Sequence, residues 1–208
     1  MPSYLEAYPG GAVDREAKFH RAVESVLAQS FTSWELLVVA DGCSRTWEEK
    51  ERYLRRTESL RFYRVPKQRQ WSPHVRNFGL SKALGQYVCY LDSDDRLGPY
   101  HLAALEAGLR EADMPRWGAF DDLVWDKGAS FWASRLVSDL LERRRAGTSN
   151  IVHGADAGYW PEIEYRHPGY GYATEDRSFV EALQRNCPPV VLSGAEYYVC
   201  HIPNDYDI

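Results

Sequence analysis

Gln86-Tyr87-Val88-Cys89-Tyr90-Leu91-Asp92-Ser93-Asp94-Asp95 is the stretch from which the rest of the chain is read. A short, uninterrupted run of aromatic and aliphatic residues that stops at a polar turn reads as a strand. Three carboxylates within four positions follow it directly. Placed together without a counter-charge they repel one another, and burying them is expensive. A hard divalent cation such as Mn²⁺ or Mg²⁺ removes the problem, because it prefers oxygen ligands and takes one or two carboxylates together with substrate phosphates. The plainer alternative is a solvated acidic turn in which Asp95 caps the next helix.

Working outward, residues 35–40 form a second apolar run, ending at Asp41-Gly42, and residues 60–65 a third. Between the strands lie helical patterns. Asp14 is placed to cap a helix whose Phe19, Ala22, Val23, Val26 and Leu27 fall on one face. Residues 45–56 read as a charged amphipathic helix with Trp47, Tyr53 and Leu54 inward. Residues 73–84 read as a helix opened by Pro73, and residues 99–111 as another. Alternating strands and helices imply βαβ units and a mainly parallel sheet covered on both faces, with ligands beyond the carboxyl ends of the strands. Two strands end there in acid, at Asp41 and at Asp92 to Asp95. Past Trp117 the expected pattern is a strand over 119–125, a helix over 131–145, an irregular aromatic stretch over 147–171, a helix over 175–184 and terminal strands over 190–200.

The chain has 208 residues, with 25 Lys and Arg against 30 Asp and Glu, a net charge of −5. That balance argues against nonspecific grip on nucleic acid or anionic membrane. No apolar run approaches the ~18 to 20 residues of a membrane span. The first residues have neither the basic start nor the apolar core of a secretory signal. Cys43, Cys89, Cys187 and Cys200 make no CxxC pair and are expected as reduced thiols in a cytoplasmic protein.

Three further motifs carry chemistry. Arg76, in Val75-Arg76-Asn77-Phe78-Gly79-Leu80, offers a planar fork to a phosphate or base edge. Thr174-Glu175-Asp176 opens a helix, where the dipole favours a carboxylate anion that serves either as a plain cap or as a base. His201, in Tyr197-Tyr198-Val199-Cys200-His201, is able to join aspartate oxygens around a metal.

Taken together and in this order, these pieces resemble the inverting family 2 glycosyltransferases of the GT-A fold. Residues 19–31 are similar to that family's first helix, residues 34–44 to its second strand, residues 75–85 to its ARNxGLxxAxG helix, and residues 87–95 to the strand carrying its DxD element. The match is dense from 19 to about 110 and returns at 174–176 and His201. The resemblance implies an α/β GT-A domain over 1–208, a mainly parallel central sheet flanked by helices, with a nucleotide-binding half to about 110 and an acceptor and base half after it. It implies that Asp41 contacts base or ribose, that Arg76 and Ser93 hold the nucleotide portion, that Asp92 lies near ribose and metal, that Asp94 ligates Mn²⁺ or Mg²⁺ with help from His201, and that Asp176 is the catalytic base. The implied donor is a nucleotide sugar, UDP-linked foremost, and the implied acceptor a hydroxyl, on a glycan foremost. Residues 159–172 read either as an aromatic acceptor wall or as an ordinary surface loop. The chain departs from the family at residues 4–10, which stand where an apolar first strand is expected, and at Ala40, which replaces the first acid of a usual pair. Two alternatives stay open: a sugar-nucleotide-binding module without turnover, and a nucleotidyltransferase, of which Pro9-Gly10-Gly11 is a faint echo.

Overall fold

Continuous apolar segments become the strands of two sheets, and the amphipathic segments between them become the helices that cover those sheets. The computed structural model describes residues 1–7, 14–68, 73–126, 130–143, 146–160 and 174–200. The first sheet holds β1 (Pro2–Ser3), β2 (Leu36–Asp41) and β3 (Leu60–Val65), all parallel, in the order β1-β2-β3. Val38, Val39 and Ala40 are buried, as both-faced burial of a parallel strand requires. The first strand thus lies at Pro2–Ser3, upstream of the expected residues 4–10.

α1 (Arg15–Leu27) buries Phe19, Ala22, Val23 and Val26 as expected. Asp14 does not cap it through its side chain. Its backbone is left-handed, and its carbonyl takes the Lys18 N–H at 2.9 Å. The expected single helix over 45–56 is two short ones, α2 (Ser44–Glu48) and α3 (Lys50–Tyr53). Tyr53 is buried, whereas Leu54 is exposed. α4 (Pro73–Leu80) ends earlier than the pattern suggests, because the Glu35 carboxylate accepts from the N–H groups of Leu84, at 2.5 Å, and Gly85, at 2.9 Å, drawing the chain away from the helix.

Then follow β4 (Tyr87–Cys89), β5 (Arg96–Leu97), α5 (His101–Glu111), β6 (Trp117–Asp126), β7 (Phe131–Arg135), α6 (Val137–Glu142), a 3₁₀ turn at Thr148–Asn150, β8 (Ile151–Gly154), α7 (Thr174–Asn186) and β9 (Val190–Val199). They form a second sheet in the order β4-β8-β6-β9-β5, with β7 on β6. Here only the β6–β9 pairing is parallel, so the mainly parallel arrangement is a property of the first sheet.

The helix expected over 131–145 is β7 followed by α6. Trp132 lies opposite Trp125 in register and meets it edge to face at 5.5 Å, and it meets Tyr198 likewise at 4.9 Å. Cross-strand aromatic pairs of this kind outweigh the local helical spacing. Asp121 then accepts the Val137 N–H at 2.9 Å and starts α6 from outside. One core, built on Phe19, Leu105, Phe120 and Tyr197, joins α1 and α5 to the sheets. A second gathers Tyr90, Trp117, Trp160 and Phe179 under α7. The four cysteines are free thiols. Among the described residues no helix is long and apolar enough to cross a membrane.

Candidate active site

Asp41 ends β2 at the carboxyl edge of the first sheet and is nearly buried. Its carboxylate is ion-paired with Lys67 Nζ and lies 3.2 Å from His74 Nε2. Gly42 makes this possible. It sits at φ 68°, and a Cβ there would stand 2.5 Å from Lys67 Cβ, so only glycine lets Lys67 close over Asp41. Neither Lys67 nor His74 stood out in the sequence. The sole signal was the position of His74 two residues before Arg76, in the first turn of α4.

Arg76 is the centre of the site. α4 points it inward, where 7% of it remains exposed. Its guanidinium reaches Asp92 Oδ1 at 3.3 Å and Asp176 Oδ1 at 3.6 Å, so one cation bridges the end of β4 and the start of α7. Below it lies the Trp160 ring, 4.6 Å from the guanidinium carbon. Trp160 is fixed on every side. Asn77 exchanges two hydrogen bonds with its backbone, at 2.9 and 2.7 Å, and Phe179 stacks on it at 4.2 Å. Its indole N–H donates to Tyr90 Oη at 2.8 Å, and Tyr90 lies 2.6 Å from His153 Nε2. Because His153 Nδ1 faces the Gly154 carbonyl at 2.7 Å, that nitrogen carries the proton and Nε2 accepts from Tyr90. Burial lowers the His153 pKa, which keeps the ring neutral in this chain of bonds.

Trp160 is therefore a buried floor beneath Arg76 and not part of an exposed acceptor wall. Tyr159 beside it is exposed. The remainder of the expected wall, from 161 to 172, lies outside the described residues, as does His201.

The three aspartates after Leu91 have separate environments. Asp95 is 3% exposed and does not cap the next helix. Its two oxygens accept from Tyr197 Oη at 2.9 Å and from the Cys200 N–H at 2.6 Å. Those bonds favour the anion, but burial, followed by the charges of Asp94 and Asp92, pushes its carboxyl well above the usual carboxylate range. Asp92 and Asp94 are half-buried, with Ser93 between them. Tyr197 also accepts the Asp92 N–H at 3.1 Å, and Arg21 donates to the Asp94 carbonyl at 3.2 Å. The turn is thus shaped from behind by Tyr197 and from the side by α1. The two remaining carboxylates suit a hard divalent cation that completes its shell with phosphate and water. Asp92 and Asp94 are the residues able to hold it.

Asp176 lies in the first turn of α7, about a quarter exposed. Gly147 approaches it so closely that an added Cβ would stand 2.9 Å from Oδ2. The structure thus brings Asp92, Arg76 and Asp176 together, sets Asp94 beside them in the same turn, and links Asp41 to them through α4. Sequence reasoning missed Lys67, His74, Tyr90, Gly147, His153 and Tyr197. Their roles depend on pairings between segments far apart in the chain.

The model of the family described as Glycosyl transferase family 2 matches residues 2–165. The chain is 34% identical to the poly(ribitol-phosphate) β-N-acetylglucosaminyltransferase TarP of Staphylococcus aureus, over 91% of this chain and 60% of that protein. It is 32% identical to the putative colanic acid biosynthesis glycosyl transferase WcaA of Escherichia coli, over 42% of this chain and 31% of that protein. It thus spans less than two thirds of either relative. Among solved structures, S. aureus TarS 1–349 in complex with UDP-GlcNAc has a TM-score of 0.67 at 20% identity, over 95% of this chain and 56% of that one. The Pyrobaculum calidifontis mannosyltransferase PcManGT, in complex with GDP-Man and Mn²⁺, has a TM-score of 0.62 at 14% identity, over 98% and 56%. The fold is that of these proteins.

Proposed function

The chain belongs to glycosyl transferase family 2, and we propose that it moves a glycosyl group from a nucleotide-diphosphate sugar, a UDP-sugar foremost, to a hydroxyl acceptor on a glycan, with inversion at the anomeric carbon. One observation carries the reading: a single buried guanidinium, Arg76, holds Asp92 at 3.3 Å and Asp176 at 3.6 Å. The donor end of the site and its base end are thereby kept at a fixed spacing, which is what an in-line displacement requires.

Asp41, with Lys67 and His74 around it, faces the base or ribose. Asp92, Ser93 and Arg76 hold the nucleotide's ribose and phosphates. Asp92 and Asp94, with His201 as a further ligand, would hold a Mn²⁺ or Mg²⁺ ion, which would supply charge neutralisation for a departing diphosphate. Asp176 removes the proton from the attacking hydroxyl. One displacement with one base inverts the centre without a covalent enzyme intermediate. In this reading residues to about 110 serve the donor and later residues the acceptor. The four free thiols support a cytoplasmic setting.

A melting-temperature panel of UDP-, GDP- and TDP-sugars, with and without Mn²⁺, tests donor and metal together, because a true ligand raises the midpoint by mass action. The expected result is a Mn²⁺-dependent rise with a UDP-sugar and, once an acceptor is supplied, release of UDP. Release of pyrophosphate would point instead to a nucleotidyltransferase. Binding with neither transfer nor donor hydrolysis would point to a binding module.

A further inference from the structure

Past Asp122 the strands of the second sheet carry an aromatic face. Side chains alternate along β6. Phe120 and Val124 pack into the core shared with α5, whereas Trp117 and Ala119 pack under α7. Trp125 therefore points to the α7 side. Trp132 of β7 stands opposite Trp125, Tyr198 of β9 opposite Leu123, and Arg96 of β5 opposite Tyr198. Residues opposite each other share a face, so all three join Trp125 there. The rings meet edge to face, and the Arg96 guanidinium lies 4.4 Å from the centre of the Tyr198 ring and 5.7 Å from that of Trp132. All four residues are only partly buried. Arg96 has neither a hydrogen-bond acceptor nor a carboxylate partner among the described residues.

The direction of α7 sets this face beside the reaction centre. Trp117 Nε1 donates to the Cys187 carbonyl at 2.9 Å, just past the end of α7. The last turn of α7 thus lies at the start of β6, and its first turn, with Asp176, lies further along the sheet toward Trp125. Gly147 touches Asp176, and two residues later Ser149 Oγ donates to Asp122 Oδ2 at 2.7 Å. Asp176 therefore stands near the level of Asp122. From there to Trp125 is about 10 Å along a strand, short enough for one oligosaccharide to reach both.

We propose, resting on the transfer reading above, that Arg96, Trp132 and Tyr198, with Trp125, form an acceptor subsite for a sugar unit that bears an anionic group. The sugar ring packs its C–H groups on the aromatic side chains, and its carboxylate or phosphate sits on the Arg96 guanidinium. Stacked on Tyr198, that guanidinium is held in one plane and offers its N–H edge as a fork to the anion. The chain as a whole carries a net charge of −5 and repels an anionic glycan at long range. A local cation without a partner of its own is what seats such a glycan, and Arg96 supplies it on the face that α7 and Asp176 share.

The test follows the Trp132 indole N–H by heteronuclear NMR in the full chain, with donor and metal left out. That N–H is shielded from solvent and has no acceptor among the described residues, so its signal reports what packs beside the ring. Glucose, glucuronate and glucose 6-phosphate are the probes: one ring carrying no charge, a carboxylate or a phosphate. At low ionic strength at least one of the two anionic sugars should shift the signal and bind at least about threefold more tightly than glucose. The tighter of the two identifies the anion. Arg96→Gln, with an unchanged melting temperature, should erase the preference, and Tyr198→Phe, which keeps the ring under Arg96, should retain it. Equal affinity for all three sugars, no shift with any of them, or a preference that survives Arg96→Gln would overturn the proposal. Inorganic phosphate binding as tightly as glucose 6-phosphate would overturn the sugar-ring contact. Because neither donor nor turnover enters these readouts, a chain that shows the preference yet never releases UDP separates failure of the transfer reading from failure of the subsite.

Discussion

Two polar clusters lie back to back at the end of β4, built from aspartates only three positions apart. The Arg76 cluster is open. Its carboxylates, Asp92 and Asp176, keep 37% and 27% of their side-chain surface and share one guanidinium at 3.3 and 3.6 Å. The Asp95 cluster is closed. Its carboxyl is sealed by Tyr197 and the Cys200 N–H and takes no cation from the described residues beside it. The same residue type in the same motif therefore serves two ends. Where cationic groups and solvent meet it, aspartate is available for ligands. Where strands close over it, aspartate fixes a turn. The difference teaches that a run of acids is divided by its surroundings and not by its spacing.

The sharpest way to break this contrast is Asp176→Asn. On the open side it should reduce transfer by about 10³-fold, roughly 4 kcal/mol of barrier, in a UDP-release assay, while the melting temperature and donor affinity hold. On the closed side, Asp95→Ala should do the reverse. It strips the acceptor from two buried donors and should cost about 2 to 4 kcal/mol in urea unfolding, whether or not a donor is present. Were the two variants to lose stability equally, the separation into open and closed clusters would fail.

How far this was legible follows from sequence distance. The Asp92–Asp95 turn, the β2 strand ending in Asp41 and the α4 helix carrying Arg76 could be read because each is local: an apolar run, a turn, a helical period. The first sheet is parallel and built from neighbouring segments, so its architecture came with them. The second sheet was misread where pairing is long-range. Trp132 has helical spacing locally, yet Trp125 and Tyr198 hold it in a strand. Asp95 looked like a cap because the strand that closes over it lies a hundred residues later. Trp160 is open to two readings in the sequence, acceptor wall or surface loop, because nothing in its own segment announces Asn77, Tyr90 and Phe179, which bury it. Tyr197 showed no signal beyond a polar tip on an apolar strand.

The closed side also holds a titrating group that sharpens the contrast. His101 starts α5 fully buried, and its Nδ1 accepts the Glu196 N–H at 3.1 Å, which leaves the proton on Nε2. That N–H has no acceptor among the described residues and lies near the Phe120 and Tyr197 rings. Burial lowers the pKa from 6.5 to about 4. The unfolded chain therefore binds a proton first. Stability is whole above pH 6.5 and falls as pH drops from there toward 4. Relative to His101→Gln, the parent should lose about 2 kcal/mol between pH 7 and pH 5 in matched urea titrations. Equal slopes for parent and variant would show that the histidine accepts a proton without cost.

The smallest expected effect tests the wall between the clusters. Tyr197 Oη accepts from the Asp92 N–H and donates to Asp95, so one hydroxyl belongs to both sides. Tyr197→Phe keeps the ring and removes both bonds, leaving a buried N–H and a buried carboxylate oxygen short of partners. About 1 to 1.5 kcal/mol of stability should go with them. Because Asp92 is then no longer pinned from behind, Mn²⁺-dependent donor affinity should also fall, by about three- to tenfold, a change that a purely structural tyrosine would not produce. Tyr198→Phe supplies the reference. Its ring faces Arg96 at 4.4 Å on the other side of the strand, and losing its hydroxyl should move stability by no more than about 0.5 kcal/mol and leave affinity alone. If Tyr197→Phe lowers stability but spares affinity, the hydroxyl holds only the closed cluster, and the turn that carries Asp92 keeps its shape through Arg21 and Arg76.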